Sequence, residues 1–418
     1  MDNAPAKSHR DLLAQRQPGH GLPGELYGRP DVFATDLEVF YTRHWIVVGV
    51  TADIPEPGDV STLDIGKASI ILVRDDDENI RAFRNVCRHR GARLKEAGKS
   101  TVGMLVCPYH QWTYDLDGQL KHAAHMGKDF DASCRSLIPV AVRVVGAHIL
   151  VCLSDESPQD IDALATEMAP RFAPYALQYS KIAYESEIIE NGNWKLVIEN
   201  NRECYHCAAG HPELNASFLP EDFGVCTDGM SPESLQALAD YQAKNAQARQ
   251  NWEDQGHLCA AVEHLEEDSI TQFRSQRLVI AKYGESQTLT TQVACTRLLG
   301  DLTRRDLGDV HFWTHNSWTH VMSDHAVVSY IIPLGPDQTL VRTKWLVHAD
   351  AVEGVDYDLQ TLTEVWQATN LQDAGLVAIT HRGTQDPAYV PGPLSAFTET
   401  YVEQFTRWYA ARLAAHGV

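Results

Sequence analysis

The sequence predicts an α+β protein made of a small all-β domain and a larger domain that combines an antiparallel sheet with long helices. Two observations carry this. Between residues 46 and 153, short β-rich runs such as 69–73 and 147–152 are separated by Gly, Pro and Asp clusters, the patterning of strands and turns. Beyond residue 156, strand-like runs are framed by helical ones, two of which close the chain. A length of 418 residues admits two to three domains, or one large domain with a smaller one inserted.

In order, residues 1–22 are polar and poorly patterned, and read as an arm or mobile end. Pro30 opens a helical pattern through Val32, Phe33, Leu37, Phe40 and Tyr41 that runs to about Trp45. These residues make an N-terminal segment, 1–44, expected to pack on the larger domain. The all-β domain spans 45–155. Ser157-Pro158 is a helix cap followed by Pro at the first helical position, so the larger domain takes 156–418. Within it come a strand at 183–189, a helix with Trp194, Leu196, Val197 and Ile198, and a loop around 215–230. Ser231-Pro232 then caps a polar helix to about Gln255 that covers something or forms part of a lid. Strands are expected at 278–282, 288–294, 310–321, 326–332 and 340–347, and helices at 357–381 and from Ser395 to about Ala414.

Composition narrows the function. The chain is 44% hydrophobic and 22% charged, which is globular usage. Thirty-five basic against fifty-six acidic side chains leave a net charge of -21, which repels nucleic-acid phosphates and anionic membrane surfaces. No run approaches the ~20 apolar residues of a membrane span, so the chain reads as soluble and cytoplasmic. Four of nine cysteines lie in motifs with histidine, which favours metal ligation over a disulfide framework. Cys134, Cys152, Cys226, Cys259 and Cys295 are scattered singly, and most of them read as buried small hydrophobes.

The richest stretch is Glu203-Cys204-Tyr205-His206-Cys207-Ala208-Ala209-Gly210-His211-Pro212, at the end of an apolar helix. In a continuous helix the two imidazoles would lie about 140° apart. Gly210 and Pro212 end helices, however, so a turn at Ala209 and Gly210 can swing His211 back beside His206. Glu203 shares a helix face with His206. The plain reading is a helix end with two surface histidines and a pair of inert cysteines. Metal binding is the sharper one, because a second constellation lies upstream: Cys87-x-His89 and Cys107-x-x-His110.

Two thiolates and two imidazoles can hold one structural zinc, but Cys-x-His sets its ligands closer than the usual zinc pair. In a two-iron cluster both cysteines bind one iron and both histidines the other, the Rieske [2Fe-2S] set. With Cys107-Pro108-Tyr109-His110, Trp112 and Tyr114-Asp115-Leu116-Asp117-Gly118, the stretch resembles the Rieske domain of the Rieske non-haem iron oxygenases. Many members have Gly after the second histidine; this chain has Gln111, outside the ligands.

The resemblance implies a catalytic domain of helix-grip type with mononuclear Fe(II), held by His206, His211 and, on the helix at 357–381, Asp373. Asp386 and Asp358 are weaker candidates for that third ligand. It further implies a homotrimer in which Glu203 couples His206 to His110 of a neighbouring subunit. The alternative is a Glu203 that merely orders the helix. Cys204 and Cys207 form a C-x-x-C that elsewhere would suggest zinc or thiol chemistry; within this motif they read as packing or supporting residues. No Gly-x-Gly-x-x-Gly occurs, so electrons from NAD(P)H must arrive through a separate ferredoxin or flavin reductase.

Segments such as Asn193-Trp194-Lys195 and Thr343-Lys344-Trp345-Leu346-Val347-His348 resemble the glycine betaine monooxygenases, and their choline, proline-betaine and carnitine relatives, more than the aromatic-ring dihydroxylases. That implies oxidative N-demethylation of a small quaternary ammonium compound. Such a cation is recognised by aromatic faces, for which Phe312, Trp313, Trp318, Tyr330 and Trp345 are candidates; for any one of them a core role is equally good. Of His311, His315, His320, His325 and His348, one or two at most are expected at the substrate. The competing classes are a Rieske oxygenase for an aromatic or other apolar substrate, and a non-enzymatic metal or electron-transfer protein.

Overall fold

A computed structural model of the chain describes residues 7–418. Two compact units result: Phe40–Gln159, and the N-terminal residues to Val39 together with Asp160–Val418.

The smaller unit is all-β. Strands β1 (Ile46–Val50), β2 (Asp59–Ile65), β3 (Ala68–Arg74), β4 (Ile80–Arg84), β5 (Gly98–Thr101), β9 (Pro139–Val145) and β10 (His148–Cys152) form one sheet in the order β1-β10-β9-β4-β3-β2-β5. Short strands β6 (Leu105–Val106), β7 (Thr113–Tyr114) and β8 (Leu120–His122) form a second. All pairings are antiparallel. Ile71, Val73, Phe83, Leu94, Trp112 and Tyr114 share a core with Cys87 and Cys107, so the two candidate thiol ligands are buried by the unit's own packing.

The larger unit begins with chain that is tied down rather than loose, against the reading of residues 1–22 as an arm; residues 1–6 lie outside the described part. Ser8 and Asp11 cap the helix His9–Leu13 reciprocally, and Leu12 and Leu22 are buried. Helices α1 (Pro30–Phe40), α2 (Ile161–Phe172), α3 (Trp194–Asn201), α4 (Pro232–Glu253), α5 (Leu359–Thr384) and α6 (Thr400–Ala415) accompany a seven-stranded antiparallel sheet. Its strands are β11 (Lys181–Glu190), β12 (Val262–His264), β13 (Phe273–Leu278), β14 (Asp309–Thr314), β15 (Ser317–Val321), β16 (His325–Gly335) and β17 (Gln338–Val347), ordered β11-β17-β16-β15-β14-β13-β12.

Three expected strands differ. Residues 310–321 are a hairpin, turning at His315 and Asn316, not one strand. Residues 288–294 form no strand, and the run at 278–282 is the end of β13 followed by a turn. The reason is local: Lys282, Tyr283 and Thr291 take left-handed backbone angles, which break an extended run.

Two features position the functional helices. Asp36 of α1 is buried and accepts hydrogen bonds from Trp194 Nε1 (2.9 Å) and Tyr409 OH (2.8 Å) as well as the ammonium of fully buried Lys195. One carboxylate thereby joins α1, α3 and α6. On the other side, α5 lies along the sheet, with Asn370 Nδ2 donating to Thr343 Oγ1 of β17 (3.0 Å). At Gly192, just before α3, an added Cβ would stand 2.4 Å from Val377 of α5, so glycine permits the close approach of these two segments. No helix among the described residues is long and apolar enough to cross a membrane.

Candidate metal centres

In the smaller unit, Cys87 and Cys107 open twin loops with the same hydrogen-bond plan. Cys87 N donates to Ala92 O (2.8 Å) and Gly91 N to Cys87 O (3.0 Å); Cys107 N donates to Trp112 O (2.8 Å) and Gln111 N to Cys107 O (3.1 Å). Each loop buries its sulfur and exposes its imidazole at the tip, where the rings of His89 and His110 stand 4.6 Å apart. Tyr114 OH lies 3.4 Å from Cys87 Sγ and accepts from Arg88 N at 3.0 Å, and Trp112 stacks on His89. Two buried thiols with two imidazoles above them, one of each per loop, suit a two-iron cluster and supply the imidazole ligation that raises its potential.

In the larger unit, Asn193 caps α3, whose apolar residues are buried. The helix stops earlier than expected, at Asn201, and the chain turns through residues 202–206. It resumes for a single turn, Cys207–Gly210, which ends at His211. The sulfurs of Cys204 and Cys207 are bonded to one another across this turn, so neither is a free thiol. The result brings the Nε2 atoms of His206 and His211 within 2.9 Å. Asp373 enters from α5, its Oδ1 3.1 Å from His211 Nε2 and 3.4 Å from His206 Nε2.

Three donor atoms bound at about 2.1 Å on adjacent corners of an octahedron stand about 3 Å apart, which fits this triangle. The proton accounting fits as well. Glu203 Oε1 can only accept, so His206 Nδ1, 2.5 Å away, carries the hydrogen. Gln372 Nε2 is committed to Glu213 Oε2 (2.7 Å), so its Oε1 accepts from His211 Nδ1 (2.9 Å). Both Nε2 atoms therefore point at one spot. Asp373 Oδ1 points there too, buried and without a well-aligned hydrogen bond of its own. Burial pulls the His206 imidazole down, but Asp373 and Glu203 outweigh it and raise it to about 9. Burial pushes the Asp373 carboxyl up, and the two imidazoles more than reverse this. Such a cluster attracts a divalent cation in place of its protons. Asp358 instead caps α5 through Thr361 N, and Asp386 accepts from Ala388 N.

A cavity adjoins this triangle, with about 400 Å³ of space not filled by atoms, its open mouth included. Besides the three candidate ligands it is lined by Phe218, Phe223, His311, His320, Trp366 and Thr369, among others. None of the five aromatics proposed from sequence is among the lining residues, and strand register gives the reason. His311 and His320 occupy one face of β14 and β15. Phe312 is one residue off in β14 and Tyr330 pairs with Ser317, so both belong to the opposite face. Trp313, Trp318 and Trp345 share the histidine face but sit elsewhere on it: Trp313 and Trp318 two residues along their strands, where Trp313 lies beneath Arg202 (4.3 Å), and Trp345 two strands away, packed on Tyr184. His315, His325 and His348 are not among the lining residues either.

Sequence reasoning missed Trp366 and Thr369, although their spacing to Asp373, i, i+3, i+7, marks one face of α5. It also missed Glu190 at the end of β11. Burial and the nearby charge of Asp373 raise that carboxyl to about 8, and its Oε2 has no hydrogen-bond partner among the described residues.

Comparison with known proteins identifies both domains. The Rieske [2Fe-2S] domain family matches residues 44–154, and the family described as the ring hydroxylating alpha subunit (catalytic domain) matches residues 176–415. The chain belongs to the ring-hydroxylating alpha-subunit family of Rieske oxygenases. The glycine betaine monooxygenase oxygenase subunit of Chromohalobacter salexigens is 44% identical to this Rieske oxygenase over 96% of the chain and 87% of that protein. The protein of the same name from Pseudomonas aeruginosa PAO1 is 39% identical over 97% of the chain and 92% of its own length.

Solved structures share the fold. The quaternary ammonium Rieske monooxygenase CntA in complex with gamma-butyrobetaine superposes with a TM-score of 0.69 at 21% identity, covering 97% of this chain and 99% of that one. Naphthalene 1,2-dioxygenase from Rhodococcus sp. gives 0.65 at 17% identity, covering 95% of each chain.

Proposed function

We propose that this Rieske oxygenase is the oxygenase component of a cytoplasmic monooxygenase that N-demethylates glycine betaine. The observation that carries the reading is the 44% identity to a glycine betaine monooxygenase oxygenase subunit over nearly the whole chain. The cavity beside His206, His211 and Asp373 supports it: the aromatic residues Phe218, Phe223 and Trp366 line it, which suits a cation that has no N–H to donate.

In the reaction, one N-methyl C–H bond becomes C–OH, and the C–N bond then breaks with its electron pair returning to nitrogen. Glycine betaine, O2, NADH and a proton give dimethylglycine, formaldehyde, water and NAD+. Ferrous iron held by His206, His211 and Asp373 would supply dioxygen activation, and a two-iron cluster held by Cys87, His89, Cys107 and His110 would supply electrons received from a separate reductase.

The chain's own residues have assignable parts. His206, His211 and Asp373 are the proposed iron ligands, and Cys87, His89, Cys107 and His110 the proposed cluster ligands. Glu203 and Gln372 hold the two ligand imidazoles with Nδ1 protonated and Nε2 free. The exposed tips at His89 and His110 suit contact with another protein surface. In a homotrimer, Glu203 would join His206 to His110 of the partner subunit, which couples the two centres through short hydrogen bonds.

Formaldehyde release tests the reading, using protein loaded with both centres, a reductase and NADH, and glycine betaine, choline, carnitine and proline betaine as substrates. Glycine betaine is expected to be preferred, with activity lost in Asp373→Ala. Silence on all four, with cluster and iron bound, would transfer the protein to the oxygenases of apolar substrates.

A further inference from the structure

The inner wall of the cavity holds a polar device that iron binding does not use. Asp309, fully buried at the start of β14, accepts from His320 Nδ1 (2.6 Å), Gln287 Nε2 (3.0 Å) and Val321 N (2.9 Å). Gln287 is fixed in turn by Trp366 Nε1, which donates to its Oε1 at 2.8 Å. Among the described residues, His320 is the one basic side chain in ion-pair contact with Asp309. That contact gives the buried carboxylate a partner on the cavity side. With Nδ1 committed to Asp309, the nitrogen His320 has left for the cavity is Nε2.

A second histidine and two arginines stand near His320. His311 stacks on it, ring centres 4.6 Å apart and planes 17° from parallel. Burial and the neighbouring charges of His320, Arg274 and Arg202 keep the His311 imidazole well below its usual range, hence neutral. Arg274 and Arg202 contribute a positive field at this wall. Trp366 lies 4.4 Å from His320, and Phe218 and Phe223 flank the histidine pair. The cavity is thus lined by aromatic rings and a histidine pair, with the candidate iron ligands also lining it, a layout suited to a short zwitterion. An N–H at Nε2 could donate to a carboxylate while Nδ1 stays hydrogen-bonded to Asp309.

We infer that His320, held by Asp309, binds the carboxylate of the substrate and so selects betaines over quaternary ammonium compounds that lack one. The inference rests on the proposed action on N-methyl compounds and adds to it the group that discriminates among them. Asp309 is a positioning residue, acting through His320.

The wild-type protein with both centres loaded gives the first test, by titration calorimetry with glycine betaine, its ethyl ester and tetramethylammonium. Glycine betaine is expected to bind about tenfold or more tightly than either of the others. His320→Gln is then expected to weaken glycine betaine by a similar factor while leaving tetramethylammonium within about twofold. Asp309→Asn should show the same selective loss, expressed in KM more than in kcat. Equal binding of the three ligands by the wild-type protein, or equal losses for glycine betaine and tetramethylammonium in both variants, would overturn the inference while formaldehyde release from glycine betaine still upheld the demethylase reading. A wild-type protein that demethylates no N-methyl compound would overturn that reading and the inference with it.

Discussion

Gln372 accepts a hydrogen bond from His211 Nδ1 at 2.9 Å and thereby determines which nitrogen of that imidazole faces Asp373, its own neighbour on α5. The amide cannot flip without losing its bond to Glu213 at 2.7 Å, so Glu213, Gln372 and His211 form an ordered relay into the metal triangle. One helix thus supplies a candidate ligand and, one residue earlier, the group that aims another.

Removing that aim should weaken metal binding without unfolding the chain. Gln372→Leu is expected to lower affinity for Fe(II), or for Co(II) as a spectroscopic substitute, by about 10–100-fold. Gln372→Glu keeps an acceptor for His211 but sets a second carboxylate against Glu213, so it should retain only part of it. Titration of the metal-free protein, followed by cobalt absorbance, measures both. An unchanged affinity in the leucine variant would show that packing alone orients His211.

The buried pair of Asp36 and Lys195 makes a second prediction. Both are essentially inaccessible, and the carboxylate also holds Trp194 and Tyr409. Asp36→Ala leaves an uncompensated ammonium in the core and is expected to cost about 3–5 kcal/mol. The double variant Asp36→Ala, Lys195→Met should recover a large part of that. Chemical denaturation of the three proteins checks it; an additive double variant would mean the pair does not interact energetically.

The parts of this molecule that could be read from sequence are those whose chemistry is local. Cys87, His89, Cys107 and His110 lie in two short loops, and Glu203, His206 and His211 in one turn, so spacing alone brought them together. Asp373 was placed by resemblance, on a helix whose face the structure turns to the same point. The substrate wall was not legible because it depends on register. Trp313 and Trp318 look like a better cation box than His311 and His320, yet the hairpin sets the histidine pair, not the tryptophan pair, in the lining. Alternation says which residues share a face, but not how far along that face the cavity lies. The bond between Cys204 and Cys207 was likewise missed, because the motif was read for its histidines.

The twin loops of the smaller unit yield a prediction about backbone strain. Gly91 takes φ +78°, and at the matching position Gln111 takes φ +61° with a side chain attached. A left-handed non-glycine residue carries about 1–2 kcal/mol of strain, partly offset by the about 0.5–1 kcal/mol of chain entropy that glycine loses on folding. Gln111→Gly should therefore stabilise the unit by up to about 1 kcal/mol. Gly91→Ala, whose new Cβ would meet open space, should destabilise it through the backbone alone by about 1 kcal/mol. Thermal loss of the cluster's visible absorbance reads both; identical midpoints would show that the loops relax instead.

His148, which opens β10, gives the smaller unit a pH dependence of definite sign. Burial lowers its imidazole to about 4, against the bond its Nδ1 makes to Val145 O (3.0 Å). The unfolded chain takes up a proton near the ordinary histidine value of about 6.5, whereas the folded unit resists until about 4. The contribution is therefore fully present above about pH 6.5 and is lost as pH falls from there toward 4, amounting to about 3 kcal/mol at most. Denaturation midpoints between pH 7.5 and 4.5 should fall more steeply in the wild-type protein than in His148→Gln, which has no ring to protonate. Parallel slopes would assign the acid sensitivity to other groups.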